Sequence, residues 1–449
     1  MSKSNREGLI TRRDFLKGAA VAAAAPMVVP PRLFGSSAPS NTLAMGCIGT
    51  GRQGQGDMQE LIYRGLEVGA RVVAVCDVDS HRREDAQWLV DKIYSKELGK
   101  GKYKGCEAYP DFRSLLQRED IDGVLIVTPD HWHALHAVAA ARSGKDIYLE
   151  KPLTYSITEG RKLVQAVRKN NRVLQVGSQQ RSSPYFLKAC ELARNQRIGK
   201  LHTIYVWLPE DQGAGDSQPM PVPKNLDYDF WMGPSPEAPF TEDRVHPQRD
   251  YSRPGWLQIE GYCRGMITGW GSHMNDIAQW GNGTELSGPV EIKAEAKFPD
   301  RGLFDVHTAF KAEALYENGV RLIMETGSPA GVRFEGSKGW VFVQRGAIEA
   351  SDENLLRQET KDDEVKLYRS TNHMKNFLEC MRTRKDPAAP VEVGHRSNTV
   401  CVMTHIAMKL GRTLKWGPQE ERFIGDDEAN KWLDYPHRKP WTLAGGGES

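Results

Sequence analysis

Residues 43–56 read LAMGCIGTGRQGQG. Leu43 to Ile48 is an apolar run of the length expected for a buried strand. Gly49, Gly51 and Gly54 then give the spacing G-x-G-x-x-G, with Arg52 and Gln53 inside it. Met58, Leu61, Ile62 and Leu66 follow at helical intervals. Glycines between a strand and a helix are the setting a dinucleotide fingerprint requires. Gly49 permits the tight turn, Gly51 lets backbone approach a pyrophosphate, and Gly54 lets helix and strand pack closely. The free N–H groups and positive dipole end of the helix face the phosphates.

A second strand, Arg71 to Cys76, ends in Asp77, 28 residues past the first glycine. A carboxylate there accepts from both ribose hydroxyls and repels a 2′-phosphate, which favours NAD. NADP stays open at this stage, because Arg82 and Arg83 lie close to Asp77 in the chain. Further on, residues 121–128 and 146–150 read as buried strands, with helices expected over 133–143 and 158–169. Strands alternating with helices imply a doubly wound parallel sheet, and ligands bind such sheets outside the strand C-termini. The glycine turn, Asp77, the loop 128–133 and Glu150-Lys151-Pro152 all fall at those ends.

From Leu201 the pattern changes. Residues 209–256 form a long Pro/Gly/Trp-rich segment, read as a lid or binding loop. A helical piece over 270–280 and several antiparallel-looking strands follow, with a hairpin marked by Asn318-Gly319. Two helices, 372–384 and 396–411, close the pattern. The expected class is α/β: a parallel-sheet domain over 43–152, then an α+β domain over 153–445 with a large, mostly antiparallel open sheet. The last helices are placed against the first domain. An open sheet of that kind suggests a homo-oligomer, dimer or tetramer.

The N-terminus, residues 1–38, reads as a twin-arginine signal peptide. Arg12-Arg13 precedes a short alanine-rich stretch, and Ser36-Ser37-Ala38 supplies small residues for cleavage. That stretch is too short to span a membrane in a mature protein. Export to the periplasm through the twin-arginine machinery is expected. The formal net charge of +2 gives no argument for nucleic acid as a partner. Seven cysteines, an odd number without a C-x-x-C pair, read as core thiols. An enzyme exported in folded form has no free NAD pool outside. Its cofactor must travel with it and be regenerated in place.

The chain resembles the glucose–fructose oxidoreductase and inositol dehydrogenase group, the Gfo/Idh/MocA family. The resemblance rests on Gly49-x-Gly51-x-x-Gly54, Asp77, Thr128-Pro129-Asp130-His131-Trp132-His133, Gly144-Lys145-Asp146, Glu150-Lys151-Pro152 and Gly271-Ser272-His273-Met274-Asn275-Asp276. It implies a Rossmann domain and a pyranose or cyclitol substrate held over a nicotinamide. It implies that Lys151 hydrogen-bonds the reacting hydroxyl, and that Pro152 follows a cis bond. Thr128, Pro129, His131, His133, Glu150 and Gln179 join the glycine turn as expected cofactor contacts. His273 is the expected acid/base, since histidine titrates near neutral pH. Trp270 and Arg181 are assigned to the carbohydrate, with an internal ion pair as the competing reading of Arg181. Many family members place Asp four residues before the histidine; here that position is Gly269. Asp276 and Tyr262 are the candidate substitutes.

His131, His133 and His136 also invite a metal, but no acid cluster stands in register and no metal is assigned. Three functions follow as expectations. The first is oxidation of a secondary hydroxyl on a sugar, sugar derivative or cyclitol, with recycled cofactor. The second is a glycosidase- or lyase-like reaction through a transient keto-sugar. The third is non-catalytic carbohydrate binding.

Overall fold

In the computed structural model, which describes residues 41–99 and 103–443, Leu43–Ile48 forms β1, enclosed more fully toward its C-terminal end. The alternation continues through α1 (Arg52–Val68), β2 (Ala70–Cys76), α2 (Ser80–Leu98), β3 (Glu107–Tyr109) and α3 (Phe112–Leu116). It goes on through β4 (Gly123–Ile126), α4 (Asp130–Arg142), β5 (Asp146–Leu149), α5 (Ile157–Lys169) and β6 (Leu174–Val176). The six strands lie in the order β3-β2-β1-β4-β5-β6 and every pairing is parallel. The strand order reverses between β1 and β4, which opens a crevice at their C-terminal ends. The sheet takes in β6, so its pairing runs past the boundary expected at residue 152.

α4 corrects one expectation. It starts at Asp130, with Pro129 at the N-cap, not at His133. The loop expected over 129–133 is therefore the first helical turn, and the phase of every side chain in it is set by the helix.

The rest of the chain supplies α6 (Pro184–Arg194), β7 (Leu201–Leu208), α7 (Tyr228–Met232), α8 (Met266–Gly269) and α9 (Gly271–Asn282). Next come β8 (Pro289–Lys297), β9 (Ala309–Tyr316), β10 (Arg321–Thr326), β11 (Gly331–Gly336), β12 (Gly339–Gln344) and β13 (Ala347–Ala350). Then follow α10 (Asn354–Arg357), α11 (His373–Thr383), α12 (Val391–Leu410), β14 (Leu414–Gly417), β15 (Arg422–Phe423) and α13 (Asp427–Asn430). They build a nine-stranded sheet ordered β13-β12-β11-β7-β10-β9-β8-β14-β15. It is mixed: β7 and β10 pair in parallel, the other pairings are antiparallel.

Side chains alternate across this sheet. On β7, Ile204, Val206 and Leu208 are buried, while Tyr205 and Trp207 point to the other face. The buried face packs on α6, α9 and α12. That packing fixes α9, which carries His273, over the parallel sheet's crevice. α11 packs on α1, with Met374, Phe377 and Met381 in the same cluster as Met58 and Leu61. Both sheets belong to one compact unit that begins at Leu43.

Segment 209–256 has little regular structure but its own apolar cluster, including Tyr228, Trp231, Phe240 and Val245, joined by Tyr262 and Phe304. It is tied to α2 by polar bonds. His246 Nε2 lies 3.0 Å from Asp79 Oδ2, and Arg82 donates to the carbonyls of Pro247 and Asp250. The seven cysteines are all buried and free, as core thiols should be. Among the described residues no helix is long and apolar enough to cross a membrane. The expected signal peptide lies outside the described residues.

Candidate active site

The turn after β1 has the geometry its glycines require. Gly49 has φ +85°, and a Cβ there would meet the Val127 carbonyl oxygen at 2.6 Å. A Cβ on Gly54 would strike the Gly49 carbonyl at 2.2 Å, so only glycine lets α1 sit this close to the turn. Gly51 is different. Its Cβ would meet only an Arg82 nitrogen, at 3.7 Å, which leaves an open cradle. Gly51 is also the N-cap of the 17-residue α1, and no side chain caps that end. Its first N–H groups therefore remain for a ligand, and a pyrophosphate fits them. Asp77 stands beside the turn. Its Oδ2 accepts from the Thr50 amide and hydroxyl at 2.8 and 3.0 Å, and its Oδ1 from the Asp79 amide at 3.0 Å. Carboxylate lone pairs are left over for ribose hydroxyls. The two nearby arginines are engaged by backbone: Arg83 donates to the Asp77 carbonyl and Arg82 to the carbonyls of Pro247 and Asp250.

From this turn a cavity of about 970 Å³ runs along the crevice to α8 and α9. Gly49, Gly51, Arg52, Gln53, Asp77, Thr128 and Pro129 line one end. Glu150, Lys151, Gln179, Trp270 and His273 line the other. Both groups expected from sequence thus share one space.

The Lys151–Pro152 bond is cis. His133 fastens the turn: its Nδ1 lies 2.6 Å from the Pro152 carbonyl oxygen and its Nε2 2.8 Å from that of Thr128. Burial holds the His133 pKa down at about 4, against the pull of the two carbonyls. Lys151 presents its ammonium to the cavity with no acceptor among the described residues. Carboxyls surround it. Gln179 donates to Glu150 Oε1 at 2.6 Å, and the Glu150 carboxyl packs into the space a Cβ on Gly177 would need. Asp57, from α1, lies near enough to Glu150 to feel its charge, and its Oδ2 is buried without a partner. Burial, then the Glu150 charge, raises the Asp57 pKa. Burial raises Glu150 as well. Both carboxyls are thereby biased toward the protonated form.

His273 sits in the first turn of α9. Its Nδ1 is buried without a partner, which leaves Nε2 for the cavity. Burial, reinforced by the Lys151 and Arg345 charges, pushes its pKa well below the ordinary imidazole value. The ring is neutral at neutral pH and can take a proton.

Other expected residues are placed elsewhere. Arg181 and Asp276 are buried against each other, with bonds of 2.6 and 2.9 Å. Arg181 also pairs with Glu285, and Asp276 accepts from Ser397. Neither lines the cavity, so Asp276 does not replace the carboxylate missing at Gly269. Tyr262 is buried, its ring centroid 5.0 Å from that of His131 and 4.9 Å from that of Trp231. His131 points Nε2 at the Trp231 carbonyl, 3.1 Å away. Because α4 begins at Asp130, residues four apart share its cavity face. Trp132 and His136 occupy that face, stacked at 4.6 Å, while His131 and His133 turn inward. These histidines meet carbonyl and hydroxyl oxygens, not a common centre, and among the described residues no His/Cys/Asp/Glu group could hold a metal.

Besides Asp57, two cavity residues were given no role of their own in the sequence reading. Asp130 is 4 % exposed with Oδ2 unpartnered, and burial raises its pKa to about 7 against the opposing Lys151 charge. Arg345 comes from the turn between β12 and β13. No periodicity in the sequence marks either one.

Comparison with known proteins decides the relationship. Residues 43–178 match the oxidoreductase family's NAD-binding Rossmann fold, and residues 196–443 match its C-terminal alpha/beta domain. The chain belongs to the Gfo/Idh/MocA family. Residues 9–29 match the twin-arginine translocation signal sequence. The chain is similar to an inositol 2-dehydrogenase of Rubrobacter xylanophilus, 29 % identical over 161 residues, 36 % of this chain and 42 % of that one. It is also similar to a glycosyl hydrolase family 109 protein of Shewanella pealeana, 32 % identical over 169 residues, 33 % of this chain and 35 % of that one. The chain thus matches well under half the length of these curated relatives. Among solved structures, the WlbA dehydrogenase of Bordetella pertussis, in complex with NADH and UDP-GlcNAcA, superposes with TM-score 0.60 at 15 % identity. The match covers 84 % of this chain and 99 % of that one, and shows a shared fold.

Proposed function

We propose that this family member is an exported NAD-dependent oxidoreductase acting on a secondary hydroxyl of a sugar, sugar derivative or cyclitol. One observation carries the reading: Lys151 and His273, the groups able to handle the hydroxyl proton, line the same cavity as the dinucleotide turn. Gly51 and the N-terminus of α1 would hold the pyrophosphate, and Asp77 would hold the ribose. When bound there, NAD would supply the hydride acceptor for the carbinol carbon. The Lys151 ammonium donates to the reacting oxygen and fixes its position. The neutral Nε2 of His273 takes the O–H proton. Segment 209–256, bonded to α2, would retain the cofactor, and a second, oxidised substrate would supply the acceptor that regenerates it in place. The periplasm is the place of action that the signal suggests.

Denaturing the purified protein should release a dinucleotide in near-stoichiometric amount, identifiable with its redox state by mass and absorbance. Adding sugars and cyclitols to the native protein should change nicotinamide absorbance and yield a keto product lighter by two hydrogens. Protein that contains no dinucleotide and acquires none on incubation overturns the proposal. The relative named as a glycosyl hydrolase favours a second reading, in which the keto-sugar is transient. Release of an aglycone without net oxidation would establish that one.

A further inference from the structure

We propose that the sugar taken by this cavity carries a negative charge, and that Arg345 binds it. The inference rests on the preceding reading of the cavity as a sugar site and names its substrate class. Arg345 and Gly346 form the two-residue connection between β12 and β13, with Gly346 at φ +82°. Gln344 and Ala347 pair directly across the turn. The backbone under Arg345 is therefore held by ladder bonds, and the residue stands exposed at the cavity mouth. Its guanidinium carbon lies 4.6 Å from the centroid of the Trp270 ring. The centroid of the His273 imidazole lies 6.1 Å from that same ring. One indole thus links the acid/base to a fixed cation. Trp270, His273 and Arg345 all line the cavity, so a sugar held beside Trp270 has the acid/base and the cation at hand.

The charge of Arg345 has no local acceptor. Among the described residues no carboxylate or carbonyl bonds to it. Of the other arginines that line the cavity, Arg82 and Arg253 are committed, while Arg52 stands at the dinucleotide turn, at the opposite end from Trp270. Arg181 is consumed by Asp276 and Glu285. Arg253 pairs with Asp211, and Arg82 bonds to the carbonyls of Pro247 and Asp250. Glu150 lies within electrostatic range of Arg345, but its oxygens are taken by Gln179 and the Lys151 amide. Arg345 is thus a cavity-lining arginine with all its donors open. Covering a free guanidinium with a neutral sugar removes water and returns only weak bonds. A carboxylate or phosphate matches the planar fork with two charge-assisted bonds. Stacking on Trp270 holds the fork in place beforehand, so little ordering is left for the ligand to supply.

The test compares three probes on the holoenzyme: methyl glucuronoside, methyl glucoside and glucose 6-phosphate. Oxidation rates and calorimetric binding are measured for the parent chain, R345Q and R345K. The parent should favour an acidic probe over methyl glucoside, and added salt should shrink the preference. In R345Q the acidic-to-neutral ratio of kcat/KM should fall by roughly thirtyfold, the scale of a lost charged hydrogen bond. R345K should recover part of the ratio, because it keeps charge but not the fork. Which acidic probe leads tells carboxylate from phosphate. A parent that prefers neither acidic probe, or an R345Q that loses acidic and neutral sugar alike, overturns the inference. Charge-selective binding that R345Q abolishes, without turnover of any probe, would keep the anion site and sink the oxidoreductase reading.

Discussion

At Asp130, burial and chemistry pull in opposite directions. Its carboxyl is enclosed at the start of α4, beside the Lys151 charge, and burial lifts its pKa to about 7. The unfolded chain would ionise it near 3.8. Between those values the folded state holds a proton that the unfolded state has lost. Its share of stability therefore falls as pH rises from about 4 to about 7 and is flat above. In the apo protein, D130N should remove that share. Its melting temperature relative to the parent should climb across this window and level off, by a few kcal/mol at most in stability. A difference that does not vary with pH would remove Asp130 from the titrating groups. His273 has the opposite sense. Its folded pKa lies below the ordinary 6.5, so the basic form persists into mild acid. The activity limb it controls should sit below pH 6.5, and H273N should lose about 10²–10⁴-fold in kcat with that limb abolished. Pre-steady-state absorbance across pH would check both.

In the proposed function, the element that retains the cofactor is segment 209–256, pinned to α2. Asp79 caps that helix and also meets His246 and Asn225. Burial pushes its pKa up, yet those bonds hold it at about 2. Its stabilising share is therefore present above about 3.8 and lost only as pH falls toward 2. H246A should free the lid while the glycine turn stays intact. The expected result is faster dinucleotide release, on the order of tenfold for one lost charged bond, followed by cofactor content after repeated gel filtration. Retention equal to the parent would show that the lid does not hold the cofactor. Elements also explain what the sequence could reveal. The β1–turn–α1 unit is contiguous, so strand, glycines and helix read in one window, and Asp77 follows at the next strand end. Lys151 and His273 were legible as motif members. Arg181 and Asp276 lie 95 residues apart, and nothing local announces that each neutralises the other. His131 and His133 were misplaced because Pro129 caps α4 three residues early, which rotates the helical face. Arg345 reaches the cavity only through the pairing of β11, β12 and β13.

At the scale of the molecule, the nine-stranded sheet is covered on one face only by its own helices. The other face carries Tyr205 and Trp207, stacked with centroids 5.7 Å apart, and Phe342 at 5.9 Å from Trp207. These rings are only partly buried within one chain. An antiparallel-rich sheet tolerates water on one side, and we propose that this continuous aromatic group is an association surface. A dimer or tetramer built on this face would bury the rings without touching the cavity at the opposite layer. Sedimentation at micromolar concentration should then show an oligomer, and W207E with F342E should shift it to monomer, since an interface core rejects unpaired charge. Cofactor content serves as the control for folding. Loss of both assembly and cofactor would mean that the substitutions unfolded the sheet, and W207A would then carry the measurement. A parent chain that sediments as a monomer at tens of micromolar would show that this face stays in solvent.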